Sequence, residues 1–281
     1  MISEKNKAMI IGIDIGSTTT KAVTLEDGKV VKKIKTRADD AVTSAAGAFG
    51  KMMLENGIRM AEISRIMITG VGATKIEGEL FGLPTKKVNE ITAIGTGGMF
   101  LSGLDNIIIV NIGTGTAIIE ARKDRIIHLG GSGVGGGAIL GLAKKLLSLS
   151  DFKDIMELAG TGDLAQVDLL LEDIMAKDFS FLNKKTTASN FGKMLDTARN
   201  EDVALGIINL VYQVIGMIAV FAARSRNIDK VIVTGSGSYN PIGQKILADI
   251  TRLYSVGFEY PNDAEYTTAV GAGLCAEKGD L

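Results

Sequence analysis

The chain has 281 residues, 31 basic against 32 acidic side chains, and a single cysteine, Cys275. Near-neutral charge gives no reason to expect a nucleic acid or an anionic membrane as partner, and one cysteine excludes both an internal disulfide framework and a four-cysteine metal site within one chain. The length holds one large domain or two modest ones, and the cysteine poverty fits a reducing cytoplasm.

Met1 to Ala8 is polar and lacks the apolar core of a signal peptide. From about Met9 an apolar strand runs into a glycine-rich loop, IIGIDIGSTTTKAV at Ile10 to Val23. A P-loop or dinucleotide fingerprint needs a helix directly behind its glycines; here strands follow instead. They are expected at Lys21 to Leu25 and Val30 to Lys35, around Asp27-Gly28, a dipeptide that tolerates the positive φ of a tight hairpin turn. Asp39 or Asp40 then caps a helix running toward Asn56, with Gly57 as its stop. A buried strand is expected at Arg65 to Thr69 and a loop at Gly70 to Gly78. A helix follows from Asn89 to Gly103, where Gly95, Gly97 and Gly98 allow close approach. The boundary between lobes is placed near Leu104, giving an N-terminal lobe over 8–104 and a C-terminal lobe over 105–281.

The second lobe opens with a copy of the first motif, IIIVNIGTGTAIIEA at Ile107 to Ala121, again followed by a strand pair, around Lys123-Asp124. Two copies suggest two lobes facing one phosphate chain. A hairpin loop can cradle phosphate through successive backbone N–H groups, with the hydroxyls of Ser17, Thr18, Thr19, Thr20, Thr114 and Thr116 as further donors. Taken singly, either loop is equally an ordinary Ser/Thr-rich turn. In GGSGVGGGAILGLAKKLL, Gly130 to Leu147, the glycines do open a helix, leaving free N–H groups and room for an anion or adenosine, or forming a flexible linker.

A helix-rich region is expected from Asp151 to Asn227, then a strand at Lys230 to Thr234 and a third nucleotide-facing turn at Gly235-Ser236-Gly237-Ser238. Val203 to Ala223 is apolar enough to test as a membrane span, but Asn209, Gln213 and the flanking charges favour a buried core helix or an oligomer contact. The closing stretch, Tyr266 to Ala276, carries Gly271 and Gly273 in a helical pattern, which points to tight packing.

Phosphoryl transfer needs held phosphates, a divalent cation and a group that positions or deprotonates the attacking hydroxyl. Asp14, at the end of the first strand, is the candidate Mg²⁺ ligand or a turn-capping aspartate. Lys21 is a candidate phosphate contact or a solvated hairpin lysine. Glu90, in VNEITA, is the candidate base or a dipole partner at a helix start. The lone histidine, His128, gives no basis for a Ser-His-Asp arrangement.

These residues make the chain resemble the actin, hexokinase and Hsp70 superfamily, and more closely the type II pantothenate kinases. DIGSTTTK at Asp14 to Lys21 is the general signal. VNEITA, NIGTGT at Asn111 to Thr116, the Gly130 to Leu142 cluster, Asp151-Phe152, TASNFG at Thr187 to Gly192 and TGS at Thr234 to Ser236 are the specific ones. The resemblance implies a two-lobed α/β actin-like (ribonuclease H-like) ATPase fold with a nucleotide cleft between the lobes. It implies in-line transfer from ATP, with Mg²⁺, to the primary hydroxyl of pantothenate or a similar small acceptor, in a homodimer that the Val203–Ala223 helix is expected to join. By position, Asp14, Ile15, Gly16, Ser17, Thr18, Thr19, Thr20 and Lys21 hold phosphates and metal, and Glu90 is the base. Thr114, Gly136, Gly137, Ala138, Ile139, Leu140, Phe152 and Ser236 hold nucleotide. The family generally carries an arginine just before the second glycine cluster, where this chain has His128; Arg122 or Arg125 is the candidate to compensate. The first loop also looks like that of the activators of 2-hydroxyacyl-CoA dehydratases, which share an iron-sulfur cluster through two cysteines per subunit, against one here. A nucleotide-binding regulator without turnover, or a kinase for another small alcohol, is the remaining alternative.

Overall fold

The computed structural model describes residues 9–37, 40–175 and 183–276. Met1 to Ala8 and Asp39 lie outside the described residues.

The first half begins with β1 (Met9–Ile15), β2 (Thr19–Glu26) and β3 (Lys29–Arg37), an antiparallel meander. Its β2–β3 turn places Asp27 at φ 48° and Gly28 at φ 71°, the pair of positive values that a two-residue type I′ hairpin requires. Helix α1 (Ala41–Asn56) follows; the Asp40 carboxylate accepts from Thr43 N at 2.8 Å, and Gly57 closes the helix in the left-handed region at φ 66°. Strands β4 (Ile63–Thr69) and β5 (Thr85–Lys87) run parallel to β1, completing a sheet of order β3-β2-β1-β4-β5. Helix α2 (Glu90–Ser102) is capped by the Asn89 side chain, which accepts from the N–H groups of Ile91 and Thr92.

The second half repeats that plan. β6 (Asn106–Ile112), β7 (Thr116–Arg122) and β8 (Ile126–Ser132) form the meander. Next come α3 (Gly136–Leu147), α4 (Phe152–Ala159), β9 (Leu169–Leu170), α5 (Leu171–Ile174), β10 (Thr187–Ser189) and the long α6 (Asn200–Ser225). β11 (Lys230–Thr234), α7 (Pro241–Tyr254), β12 (Gly257–Glu259) and α8 (Thr267–Leu274) close the chain. The second sheet has order β12-β11-β6-β7-β8, with β11 and β12 parallel to β6. It is the first topology again, strand for strand.

Each sheet is covered on both faces, and alternation along its strands assigns the faces. Ile11, Ile13 and Ile15 of β1 pack with Ala45, Ala48, Phe49 and Met52 of α1. Ile108, Val110 and Ile112 of β6 pack with α6, while Ile107 and Ile109 turn the other way toward Ile94 of α2. On the inner face of the first sheet, Val23 and Leu25 meet Ala269 and Val270 of α8. The two inner helices are therefore exchanged: α2, from the first half, lies on the second sheet, and α8, from the second half, lies on the first. A boundary at residue 104 separates the strands of the two sheets but not these helices, so the packing units differ from the segments 8–104 and 105–281. The exchange depends on small residues where α2 crosses α8. A Cβ at Gly97 would lie 2.0 Å from the carbonyl oxygen of Thr267, and one at Gly271 1.8 Å from that of Ala93.

Helix α6 meets the length and composition of a membrane span, with mean hydropathy 2.2 over its most apolar stretch, yet 67% of that stretch is buried within the protein. Its apolar circumference is used as the core of the second lobe. What remains outward includes Phe221, 62% exposed.

The TASNFG segment is held by one buried carboxylate. Asp168 accepts from the Thr187 hydroxyl at 2.9 Å, Asn209 Nδ2 at 2.7 Å and Phe191 N at 2.9 Å. Asp168→Ala leaves the Thr187 hydroxyl and Phe191 N without this acceptor, and Asn209 Nδ2 with only its 3.1 Å bond to the Thr187 oxygen; it is expected to lower the unfolding free energy by about 3 kcal/mol. Urea denaturation followed by circular dichroism checks this; a midpoint unchanged from the parent chain would refute it.

Candidate active site

Both glycine-rich loops lie at the ends of equivalent strands and meet across one cleft of about 830 Å³. The first loop joins β1 to β2, the second joins β6 to β7, and the Ser17 and Thr114 hydroxyl oxygens are hydrogen-bonded across the gap at 2.7 Å. The cleft is walled by Asp14, Gly16, Ser17, Thr18, Thr19, Lys21 and Glu90 from the first half, and by Thr114, Gly136, Gly137, Ile139, Leu140, Phe152 and Ser236 from the second. These are fourteen of the residues nominated from the sequence. The N–H groups of Ser17, Thr18 and Thr114 have no hydrogen-bond partner among the described residues, which is the donor set an anionic chain between the loops requires.

Three nominated side chains face elsewhere. Ile15 is buried in the first core, where a Cβ on Gly72 would come within 2.3 Å of it. Thr20 is fully buried within β2, and Ala138 packs against the second core. Thr116 borders the cleft, but its hydroxyl donates to the Val134 carbonyl at 2.8 Å and is not a free donor. The glycines that open α3 also work differently from the expectation of free amides. Gly136 N donates to Gly113 O and Gly137 N to Thr114 O, each at 2.9 Å. A Cβ at Gly135 would sit 2.7 Å from Thr114 O. The cluster lets the helix start press against the second loop and fix its shape.

Asp14, next to last in β1, lies directly opposite Lys21 of β2. Burial pushes its carboxyl up to about 6; the Lys21 ammonium opposes that shift and the nearby Glu90 carboxylate adds to it. Burial likewise lowers the Lys21 ammonium. Glu90 is the first residue of α2, half-buried, and burial raises its carboxyl above the ordinary glutamate range. Asp14 and Glu90 thus place two carboxyl groups in one cleft, with Lys21 acting on Asp14. One or two carboxylates with phosphate oxygens and retained waters is the donor set that suits Mg²⁺, and no larger cluster of acidic, histidine or cysteine ligands occurs among the described residues.

Sequence reading passed over several wall residues. Asn111 occupies on β6 the place of Asp14 on β1, held by a 2.9 Å bond from the Thr234 hydroxyl. Aligning the two motifs, IDIGST with VNIGTG, would have found it. Lys35 and Arg37 on β3 and Tyr212 on α6 also line the cleft. Tyr212 donates to Gly237 O at 2.6 Å and so braces the Ser236 turn. Conversely, His128 is exposed on the outer strand β8 and does not line the cleft. Neither Arg122 nor Arg125 lines the cleft: with Arg226 they surround the buried Glu120, at 2.7 Å for Arg122, 3.5 Å for Arg125 and 2.9 Å for Arg226.

The chain is 31% identical over 278 residues to the type II pantothenate kinase of Bacillus thuringiensis subsp. konkukian, covering 95% of this chain and 97% of the relative. It belongs to the type II pantothenate kinase family. The Fumble family profile agrees, matching residues 102–274. Among solved structures, the activator of the 2-hydroxyisocaproyl-CoA dehydratase from Clostridium difficile, with bound ADPNP, is similar at TM-score 0.69 and 17% identity, covering 96% of this chain and 94% of that one. A ROK family glucokinase from Streptomyces griseus, in complex with glucose and AMPPNP, is similar at TM-score 0.61 and 14% identity, covering 97% and 100%. Likeness at that identity establishes the fold, the two-lobed actin-like ATPase architecture, while the match to the type II pantothenate kinase of Bacillus thuringiensis subsp. konkukian extends over 95% of this chain.

Proposed function

We propose that the chain is an ATP-dependent kinase that phosphorylates the primary hydroxyl of pantothenate, giving 4'-phosphopantothenate, the first step toward coenzyme A. The observation that carries this reading is the meeting of two phosphate-type loops, joined by the Ser17–Thr114 bond, with a buried-edge carboxylate, Glu90, in the same cleft. Family membership supplies the substrate class.

Glu90 accepts the hydroxyl proton as the acceptor oxygen bonds to the γ-phosphorus, the bond from that phosphorus to the bridging oxygen breaks, and ADP leaves with the electron pair; Glu90 then returns the proton to solvent. The unpartnered amides of the two loops face the phosphate oxygens, where fixed donors stabilise developing charge. Asp14 is the residue to hold Mg²⁺, which when bound offsets the phosphate charge. Phe152, at the start of α4, offers an aromatic face to adenine. The outward stripe of α6 around Phe221 is the surface offered for a homodimer; a strictly monomeric mass by light scattering would remove that part.

A second reading has a specific observation behind it. His128 stands away from the cleft and Arg122 and Arg125 are tied to Glu120, so the acceptor's anionic end lacks the family's arginine, and a different small alcohol fits the same chemistry. ADP release measured with pantothenate, pantetheine, sugars and hydroxy acids separates them. Release stimulated by pantothenate alone is expected; equal release without any acceptor would leave an ATPase and defeat the kinase assignment.

A further inference from the structure

Residues at every second position of a strand share a face, and on β3 one face carries three cations in a row: Lys33, Lys35 and Arg37. The opposite face carries Ile34, buried against α1. Two of the three cations are matched by acids from the segment that leads into α8. Lys33 Nζ lies 2.5 Å from Asp263 Oδ1, and Lys35 Nζ lies 2.7 Å from Glu265 Oε2. The third, Arg37, is exposed and has no acidic partner among the described residues. Of the three it is the one paired next to the first loop: its register partner is Thr19, whereas Lys35 lies opposite Lys21 and Lys33 opposite Val23. Thr19 is the residue that leaves the first loop for β2, and its carbonyl accepts from Gly16 N at 3.2 Å; Arg37 lines the cleft together with Thr18 and Thr19. Paired strands are about 4.8 Å apart, well within the reach of an extended arginine.

The charges of the cleft wall point the same way. Lys21 is opposed to Asp14, Lys35 is taken by Glu265, and position 128 offers no guanidinium. Arg37 is left as the uncommitted cation of the wall, on the rim of a loop whose amides await an anion. A guanidinium presents a planar fork that matches phosphate oxygens two at a time.

Resting on the kinase reading, we infer that Arg37 is a nucleotide-contacting residue: its guanidinium reaches over the first loop and bonds the phosphate chain of ATP, supplying from the first lobe a fixed positive charge that the second lobe lacks. Three variants of the full chain test this by calorimetric titration with Mg·ATP and by steady-state kinetics. Arg37→Ala is expected to weaken Mg·ATP binding about tenfold or more and to raise the KM for ATP accordingly. Arg37→Lys should recover part of that loss, because the charge returns without the fork. Lys32→Ala removes the same charge from the opposite face of β3 and should bind ATP as the parent does. Unchanged ATP affinity in Arg37→Ala overturns the inference. A rise confined to the acceptor's KM also overturns it and moves Arg37 to the acceptor's anionic end. Failure of the kinase reading shows itself separately, as absent Mg·ATP binding in the unaltered chain.

Discussion

Glu90→Gln is expected to reduce phosphoryl transfer by roughly 10² to 10⁴-fold while leaving Mg·ATP affinity within about twofold of the parent. The glutamine keeps the shape of the side chain and the start of α2, whose cap is supplied by Asn89 and not by Glu90, so the helix has no reason to shift. What is removed is the capacity to take a proton. The pH dependence gives the same conclusion a second readout. Burial raises the Glu90 carboxyl above its ordinary value of 4.5, and the base must be ionised to act. Transfer should therefore rise with pH through that elevated value, placing the acid limb of kcat/KM above the range of a solvated glutamate. In the glutamine variant the limb assigned to Glu90 should disappear from the residual rate. Turnover equal to the parent would reject the assignment outright.

Gly271→Ala is expected to destabilise the protein by about 3 kcal/mol and to lower kcat as well. The methyl group would be built 1.8 Å from the Ala93 carbonyl oxygen and 2.7 Å from Gly97 N. Both obstacles are backbone, so no rotamer change relieves the overlap and the two helices must separate. Because α2 begins at Glu90, any such separation also moves the proposed base, and displacements of about 1 Å in a reacting group cost on the order of a hundredfold in rate. Gly50→Ala is the matched control: it lies within α1 with nothing inside 4 Å of the new methyl, and should stabilise by up to about 1 kcal/mol. Urea denaturation and initial-rate assays on the pair decide the matter; equal stability of the two variants would show that the crossing tolerates a side chain.

Much of the site was legible because its signals are local. The paired D/N-I-G-[ST] loops, the Asp27-Gly28 turn, the Asp40 cap, the helix start at Asn89 and the Gly57 stop each act within a few residues, and a pattern of three to fifteen positions contains them. The glycines at 97 and 271 announced close packing without naming the partner, since periodicity says which face is buried and not against what. That is why a boundary at residue 104 looked natural and the exchange of α2 with α8 did not show. Hydrogen-bond use was equally hidden. Gly136 and Gly137 look in sequence like donors waiting for an anion, and only tertiary structure reveals that Gly113 and Thr114 take those amides. The arginines at 122 and 125 looked available until Glu120, buried between them, was placed.

The traded helices bear on how the polypeptide can be divided. Severed after Ser102, the leading fragment would retain a helix shaped for a sheet it no longer possesses, while its own sheet would present Val23 and Leu25 to water. The trailing fragment would be orphaned in the mirror sense, carrying α8 with nothing to seal. Each portion is thus the other's missing lid, and the polypeptide attains a closed interior only as an interlocked whole.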